Sequence, residues 1–198
     1  LISSGIGEIL FVTNTKLGRT IRKSVTTGEI SNIIIKPVSV VGYLYLKTIG
    51  DTLPVYLFSI FCIVMGIFNL KLTLEKLPVF LIFMGLAGAI SFAFNLFEGA
   101  LSLIFTEVSG IKNAINHTTR ILSGALIPLT FFPGQLKNIV ELLPFGTMIY
   151  SPVNSITAIG SFDFAKSLAV AVFWAITLNI VIYKFWIYSF RKFESAGI

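Results

Sequence analysis

The chain has 198 residues, 55% of them hydrophobic and only 12% charged, with a mean hydropathy of +0.90. Soluble domains carry about 25% charged residues, so too little charge is present to cover a water-facing surface, and the chain belongs in a bilayer. Its 15 Lys and Arg against 9 Asp and Glu give a net charge of +6, but the basic residues stand at the ends of apolar runs, where orientation signals and headgroup contacts lie. That placement does not select nucleic acid as a partner.

The sequence opens on an apolar run (Leu1, Ile2, Ile6, Ile9, Leu10, Phe11, Val12). The run is shorter than the about 20 residues a crossing helix needs and lacks the charged start and cleavage site of a signal peptide. It is expected to be the end of a transmembrane helix whose earlier part is missing, so that the chain is N-terminally truncated. Next comes a basic, partly apolar segment with Arg19, Ile21, Arg22, Lys23 and Val25, followed by Thr26-Thr27-Gly28 as a turn. A short apolar stretch, Ile30 to Ile35, is stopped by Lys36-Pro37, because the residue before a proline disfavours the α region. Two uses fit this segment: a patch lying on anionic lipid, or a short helix gripped by a soluble partner.

Four full spans follow. The first is expected over about Thr52 to Leu70, with Pro54 tolerated in its first turn. A polar link, Lys71 to Pro78, leads to a second span from about Val79 to Phe105, and a third runs from about Ile111 to Thr130. The segment from Phe131 to Gly160 is apolar but broken by Pro133, Pro144 and Pro152, which suits short helices in the interface or re-entering the membrane. The last span, about Ser167 to Tyr188, ends in Arg191-Lys192. The expected fold is an all-α, polytopic helical bundle forming a single transmembrane domain over 1–198: residues 1–51 hold a helix end and a cytoplasmic segment, 52–130 three spans, 131–166 external helices, and 167–198 the last span and tail.

If the segment before Thr52 is cytoplasmic, eleven basic residues lie inside: Lys16, Arg19, Arg22, Lys23, Lys36, Lys47, Lys112, Arg120, Lys184, Arg191 and Lys192. Only Lys71, Lys76, Lys137 and Lys166 remain outside. This obeys the positive-inside rule, and it puts the C-terminus in the cytoplasm.

No enzyme constellation is visible. The lone His117 has no second histidine for a metal pair, Cys62 is the only cysteine, and no phosphate-cradling G-x-x-x-x-G-K-[ST] occurs. Asn95 and Glu98 lie inside the second span, where a carboxylate at mid-bilayer costs about 2.5–3.5 kcal/mol on insertion scales. Glu98 must face protein, water or a partner, or sit protonated, either as a pathway-lining group or in a structural hydrogen bond to Arg120 or His117. Gly85, Ala89 and Ala93, spaced by four, offer a small-residue face for a neighbouring helix.

The run Ile21-Arg22 with Gly28-Glu29-Ile30 to Lys36-Pro37-Val38 resembles the "I-R-x-G-E-[IL]-x-x-x-L-x-[KR]-P" segment of ABC-2 family permeases. Ser123-Gly124-Ala125-Leu126-Ile127-Pro128-Leu129 with Phe131-Phe132-Pro133 is similar to that family's "SG-x-x-[IL]-P-[IL]-x-F-F-P". Leu142-Leu143-Pro144-Phe145 with Tyr150-Ser151-Pro152 resembles its "L-P-F … Y-x-P", and Phe193 to Gly197 its closing "Y-x-x-x-G".

The resemblance implies the permease subunit of an ABC exporter, with about six helices when complete, in a bacterial plasma membrane. It implies that separate cytoplasmic ATP-binding subunits hold ATP and Mg, that this chain binds no cofactor, and that a second permease pairs with it. Docking would fall on Ile21, Arg22, Lys23, Gly28, Glu29, Ile30, Ile33, Ile34, Lys36 and Pro37. Asn95, Glu98 and Arg120 would line a pathway or join helices. Pro128, Phe132, Pro133, Pro144, Phe145, Tyr150 and Pro152 would belong to external helices capping the pathway. The alternative from the residues themselves is a proton-coupled secondary transporter using Glu98, for which matched repeats are expected and none is visible.

Overall fold

The computed structural model describes residues 2–69, 74–105, 107–157 and 163–195. The described residues form eight α-helices: α1 (Ile2–Thr26), α2 (Glu29–Ile34), α3 (Val40–Asn69), α4 (Leu77–Ile104), α5 (Ser109–Leu122), α6 (Gly134–Leu142), α7 (Tyr150–Thr157) and α8 (Phe164–Ser195), with single 3₁₀ turns before α4 and before α6. The described residues include no strand. Among the described residues three helices, α3, α4 and α8, are long and apolar enough to cross a membrane.

The helices pack in the order α3, α1, α4, α8. Ile2 lies against Gly66, while Leu17 and Ile21 share a cluster with Leu44, so α1 and α3 are antiparallel. Ile6 lies with Ile90 and Ile21 against Gly99, so α1 and α4 run the same way. Phe164 meets Phe83, and Phe185 meets Phe97, which makes α8 parallel to both. Three helices therefore point toward the end that carries α2, and α3 alone returns. One apolar cluster fills the α2 end around Leu17, Ile21, Leu96 and Trp186, and another fills the opposite end around Ile6, Phe80, Ile90 and Met148.

Two expected spans differ in the structure. The first begins at Val40, not Thr52, so Pro54 lies inside the helix rather than in its first turn. Lys47 and Asp51 interrupt the apolar run, yet Leu44, Thr48 and Thr52, spaced by four, are all fully buried. The threonine hydroxyls donate to the carbonyls of Leu44 and Thr48, each at 2.7 Å, so burying them leaves no orphan group. Helical side-chain spacing, not hydropathy, sets this start.

The third expected span, Ile111 to Thr130, is replaced by α5. Its 14 residues reach about 21 Å at 1.5 Å per residue, short of the about 30 Å hydrocarbon core. The stop is Gly124 at φ 86°, where Leu129 folds back to 2.8 Å from the place a Cβ would take. The chain nevertheless has to return from the α2 end, where α4 finishes, to the opposite end, where α8 starts. It does so through α5, α6 and α7 in short pieces. The expected link over Lys71 to Pro78 lies partly outside the described residues, as do Gly160 and the closing Ala196-Gly197.

The close helix approaches are not at the expected Gly85 face, since Gly85 has open space above it. Ala93 is buried in the core and Ala89 packs beside it. Contact is tightest where α1 meets its neighbours, at Gly5 against Ser59 and Ile63, Gly66 against Ile2, Gly18 against Glu98 and Gly99 against Ile21. A Cβ at Gly5 would lie 2.7 Å from the Ser59 carbonyl oxygen, a backbone atom that cannot swing aside. Gly5→Val is therefore expected to cost about 1–3 kcal/mol, seen as a lowered Tm of the detergent-solubilised protein, whereas Gly85→Ala is expected to leave Tm unchanged or raised.

Candidate functional site

The segment that the sequence singles out, Ile21 to Val38, forms the junction of α1, α2 and α3. α1 continues to Thr26, and the backbone reverses at Gly28, whose φ of 72° is a left-handed conformation that glycine adopts without a Cβ penalty. A single helical turn and a half, α2, follows. Its Ile30 and Ile33 are 1% and 2% exposed and pack with Leu17, Ile21 and Leu44. Lys36, over the Tyr43 ring at 4.9 Å, and Pro37 then lead into α3, whose start is capped by Ser39 Oγ accepting the Gly42 N–H at 3.2 Å.

This geometry divides the expected docking residues into two sets. Ile21, Ile30 and Ile33 are core anchors, and Ile34 is half-buried. Gly28 and Lys23 face outward with Lys36 and Pro37, joined by Asn32, Ile35 and Val38, which lie in the same segment but were not among the expected docking residues. Ile35 is 82% exposed, directly beyond the buried pair. An α-helical period of 3.6 residues placed over Ile30 to Ile35 separates them, because Ile30, Ile33 and Ile34 share a face that Asn32 and Ile35 do not.

Polar contacts hold the junction. Glu29 accepts from Lys47 Nζ at 2.7 Å and from Ser24 Oγ at 3.1 Å, tying α2 to α3 and α1. Arg22 turns away from α2: Nη1 donates to Ser109 Oγ at 3.0 Å, and Nη2 lies 3.5 Å from the Glu107 carboxylate. It pins the end of α1 to the start of α5. The hydrogen bond from the Lys47 ammonium, aided by the Ser24 hydroxyl, holds the Glu29 carboxyl below its ordinary value.

Of the polar residues expected within the bundle, Asn95 Nδ2 donates to the Ser91 carbonyl at 2.8 Å. Glu98 is 6% exposed, and it opens on a cleft lined by Arg19, Arg22 and Lys112. Neither Arg120 nor His117, the partners expected for it, is among those residues; both are exposed on α5, more than a turn beyond Lys112. Asn179, missed by the sequence reading, donates to the Ala89 carbonyl at 3.0 Å and joins α8 to α4.

At the opposite end, α6 and α7 are the short helices expected from the prolines. Pro128 and Pro133 are exposed, Phe132 and Tyr150 half-buried, and Pro144 and Pro152 buried. Phe145 stacks on Phe94 at 5.5 Å, which sets this element against the middle of α4. Lys166 on α8 reaches Glu141 at 3.4 Å, and Trp174 Nε1 donates to the Leu142 carbonyl at 2.8 Å. Among the described residues no group of His, Cys, Asp and Glu is placed to hold a metal ion.

Three long apolar helices with a tucked α2 at one end and broken helices at the other define a polytopic, all-helical membrane protein. The family model for ABC-2 family transporter proteins matches residues 1–197, and the chain belongs to that family. It is an ABC transporter permease, a membrane transport component that is not itself the catalyst. No curated protein and no solved structure gives a match.

Ile30→Ala and Ile33→Ala are each expected to cost about 2–5 kcal/mol, while Ile35→Ala stays within about 0.5 kcal/mol; denaturation of the purified protein measures both. Because the Glu29 carboxyl is lowered on folding, its contribution is present at neutral pH and lost as pH falls through the carboxylate range. The Glu29–Lys47 pair is half-exposed, so about 0.2–1 kcal/mol is expected. Glu29→Gln should flatten the acid limb of Tm against pH by that amount.

Proposed function

We propose that this permease is the membrane half of an exporter in a bacterial plasma membrane, moved by separate cytoplasmic subunits that bind ATP and Mg. These subunits dock on the outward face of α2, formed by Lys23, Asn32, Ile35, Lys36 and Val38. The observation that carries this reading is the split of α2 itself. Ile30 and Ile33 are seated in the interior while Ile35, capping the C-terminal end of α2, stands 82% exposed. A large apolar side chain next to Lys36, on a rigid mount, is the kind of anchor that partner surfaces use.

The α2 end also carries Arg19, Lys23, Lys36 and Lys112, whereas the Lys137 and Lys166 of the opposite end are paired with Glu141. The positive-inside rule then puts α2 and the C-terminal end of α8 in the cytoplasm. α6 and α7 cap the pathway from the outer side.

A second permease, identical or related, completes the pathway. The support is α5, which makes no extensive contact with another helix among the described residues and leaves Ile111 and Ile121 47% and 40% exposed. Membership of the ABC-2 transporter family supports this reading over a proton-coupled transporter through Glu98.

Force must pass from the motor through contacts that differ between two states. A close-packed interior transmits displacement because it has few voids to absorb it, and α2 shares its core with α1, α3, α4 and α8. Ile35→Asp and Lys23→Glu should abolish co-purification of the ATP-binding subunit, and transport-coupled ATP hydrolysis should fall at least tenfold, with membrane insertion and Tm kept. Normal coupling in the double variant would overturn the docking assignment.

A further inference from the structure

The cleft beside Glu98 has a composition that neither helix packing nor docking explains. It lies between α1 (Gly18, Arg19, Arg22), the end of α4 (Glu98, Leu101), Val108 and the first turn of α5 (Lys112), with a volume of about 80 Å³. A water needs about 10–15 Å³ on this measure, so the cleft has room for a group of several heavy atoms. Glu98 Oε2 is buried and accepts no hydrogen bond, and Glu98 takes part in no ion pair among the described residues. An orphaned buried carboxylate oxygen is costly. Oε2 packs against Gly18, where a Cβ would fall 2.7 Å from it, and the rest of the carboxylate borders the cleft.

Three cations and one carboxylate on a small cleft restrict what fits. A simple anion would pair with Arg19, Arg22 and Lys112 but meet Glu98 with like charge. A metal cation would suit Glu98 but sit among three positive groups. A molecule carrying both charges a few bonds apart satisfies every wall. Guanidinium and ammonium groups match phosphate oxygens, and a primary ammonium supplies hydrogen-bond donors to the side of the Glu98 carboxylate that opens on the cleft. Glu98 lies six residues before the end of α4, about 9 Å along the helix, close to where a bilayer gives way to headgroups.

We propose that this cleft binds an ammonium–phosphate zwitterion, the chemistry shared by the headgroup of an ethanolamine phospholipid and by soluble phosphoethanolamine. Glu98 accepts from the ammonium, and Arg19 and Lys112 hold the phosphate, with Arg22, engaged by Ser109 and Glu107, at the margin and Leu101 and Val108 as the apolar wall. The inference stands without the docking of any ATP-binding subunit.

The test is lipid titration of the purified full chain in detergent, read by native mass spectrometry and by Tm. Ethanolamine phospholipid should bind about tenfold tighter than glycerol phospholipid, which has no ammonium, and than choline phospholipid, whose ammonium has no hydrogen to donate. Glu98→Gln should reduce that preference to twofold or less. Arg19→Ala and Lys112→Ala, at exposed and half-buried positions, should weaken ethanolamine and glycerol lipids alike while the protein stays folded. Competition by soluble phosphoethanolamine at similar concentration would assign the site to a soluble ligand, and its failure beside lipid binding would assign it to the bilayer; both support the zwitterion. Equal binding of the three lipids with no effect of phosphoethanolamine, or a preference unchanged in Glu98→Gln, would overturn it.

Discussion

The seating of Ile30 and Ile33 in the same interior as Leu17, Ile21 and Leu44 is the contact on which the rest of the arrangement depends. A six-residue helix has no stability of its own in water, so α2 exists only because its two isoleucines are buried and Glu29 is tied to Lys47 and Ser24. That seat determines what remains outside. With Gly28 reversing the chain on one side and Pro37 ending the turn on the other, Ile35 has nowhere to go but into the surroundings. The proposed docking face is thus the by-product of a packing requirement.

The second constraint is how closely α1 approaches its neighbours. Gly18 and Gly99 let α1 and α4 meet with little between them, while Gly5 and Gly66 do the same for α1 and α3. In a bilayer, where apolar faces gain little by avoiding lipid, such close approach is a main source of helix association. It also shapes the cleft, because Gly18 admits the Glu98 carboxylate and Arg22 brings the start of α5 alongside through Ser109. Packing and the proposed zwitterion site therefore share residues, and a change in how α1 lies on α4 would be felt in both.

Much of this fold was legible in the sequence where a single physical rule dominates. The long apolar runs found α4 and the start of α8 within a few residues but stopped seven short of the end of α8 at Ser195, the prolines announced α6 and α7, and Gly28 marked the turn before α2. The rule failed where two effects compete. Lys47 and Asp51 hid the first twelve residues of α3, although Leu44, Thr48 and Thr52 carry its helical spacing. Apolar residues after Leu122 suggested a third full span, but the left-handed Gly124 and the refolded Leu129 end α5 early. The segment Ile21 to Val38 stood out in the sequence but was not divided into buried and outward residues, since composition shows that Ile30, Ile33 and Ile35 are apolar and cannot show which two are buried. The cations around Glu98 were invisible as a group, because Arg19, Arg22 and Lys112 converge only once α1, α4 and α5 are assembled.

The central claim is that Ile35 stands free on the cytoplasmic side of a helix otherwise fixed in the core. The chain has one cysteine, Cys62, so a Cys62→Ala background with Ile35→Cys provides a single reporter. Labelling with a membrane-impermeant maleimide would be compared in intact cells and in inside-out vesicles. The account predicts rapid labelling in the vesicles and none in intact cells; labelling from outside the cell, or a thiol that reacts from neither side until the protein is unfolded, would contradict it.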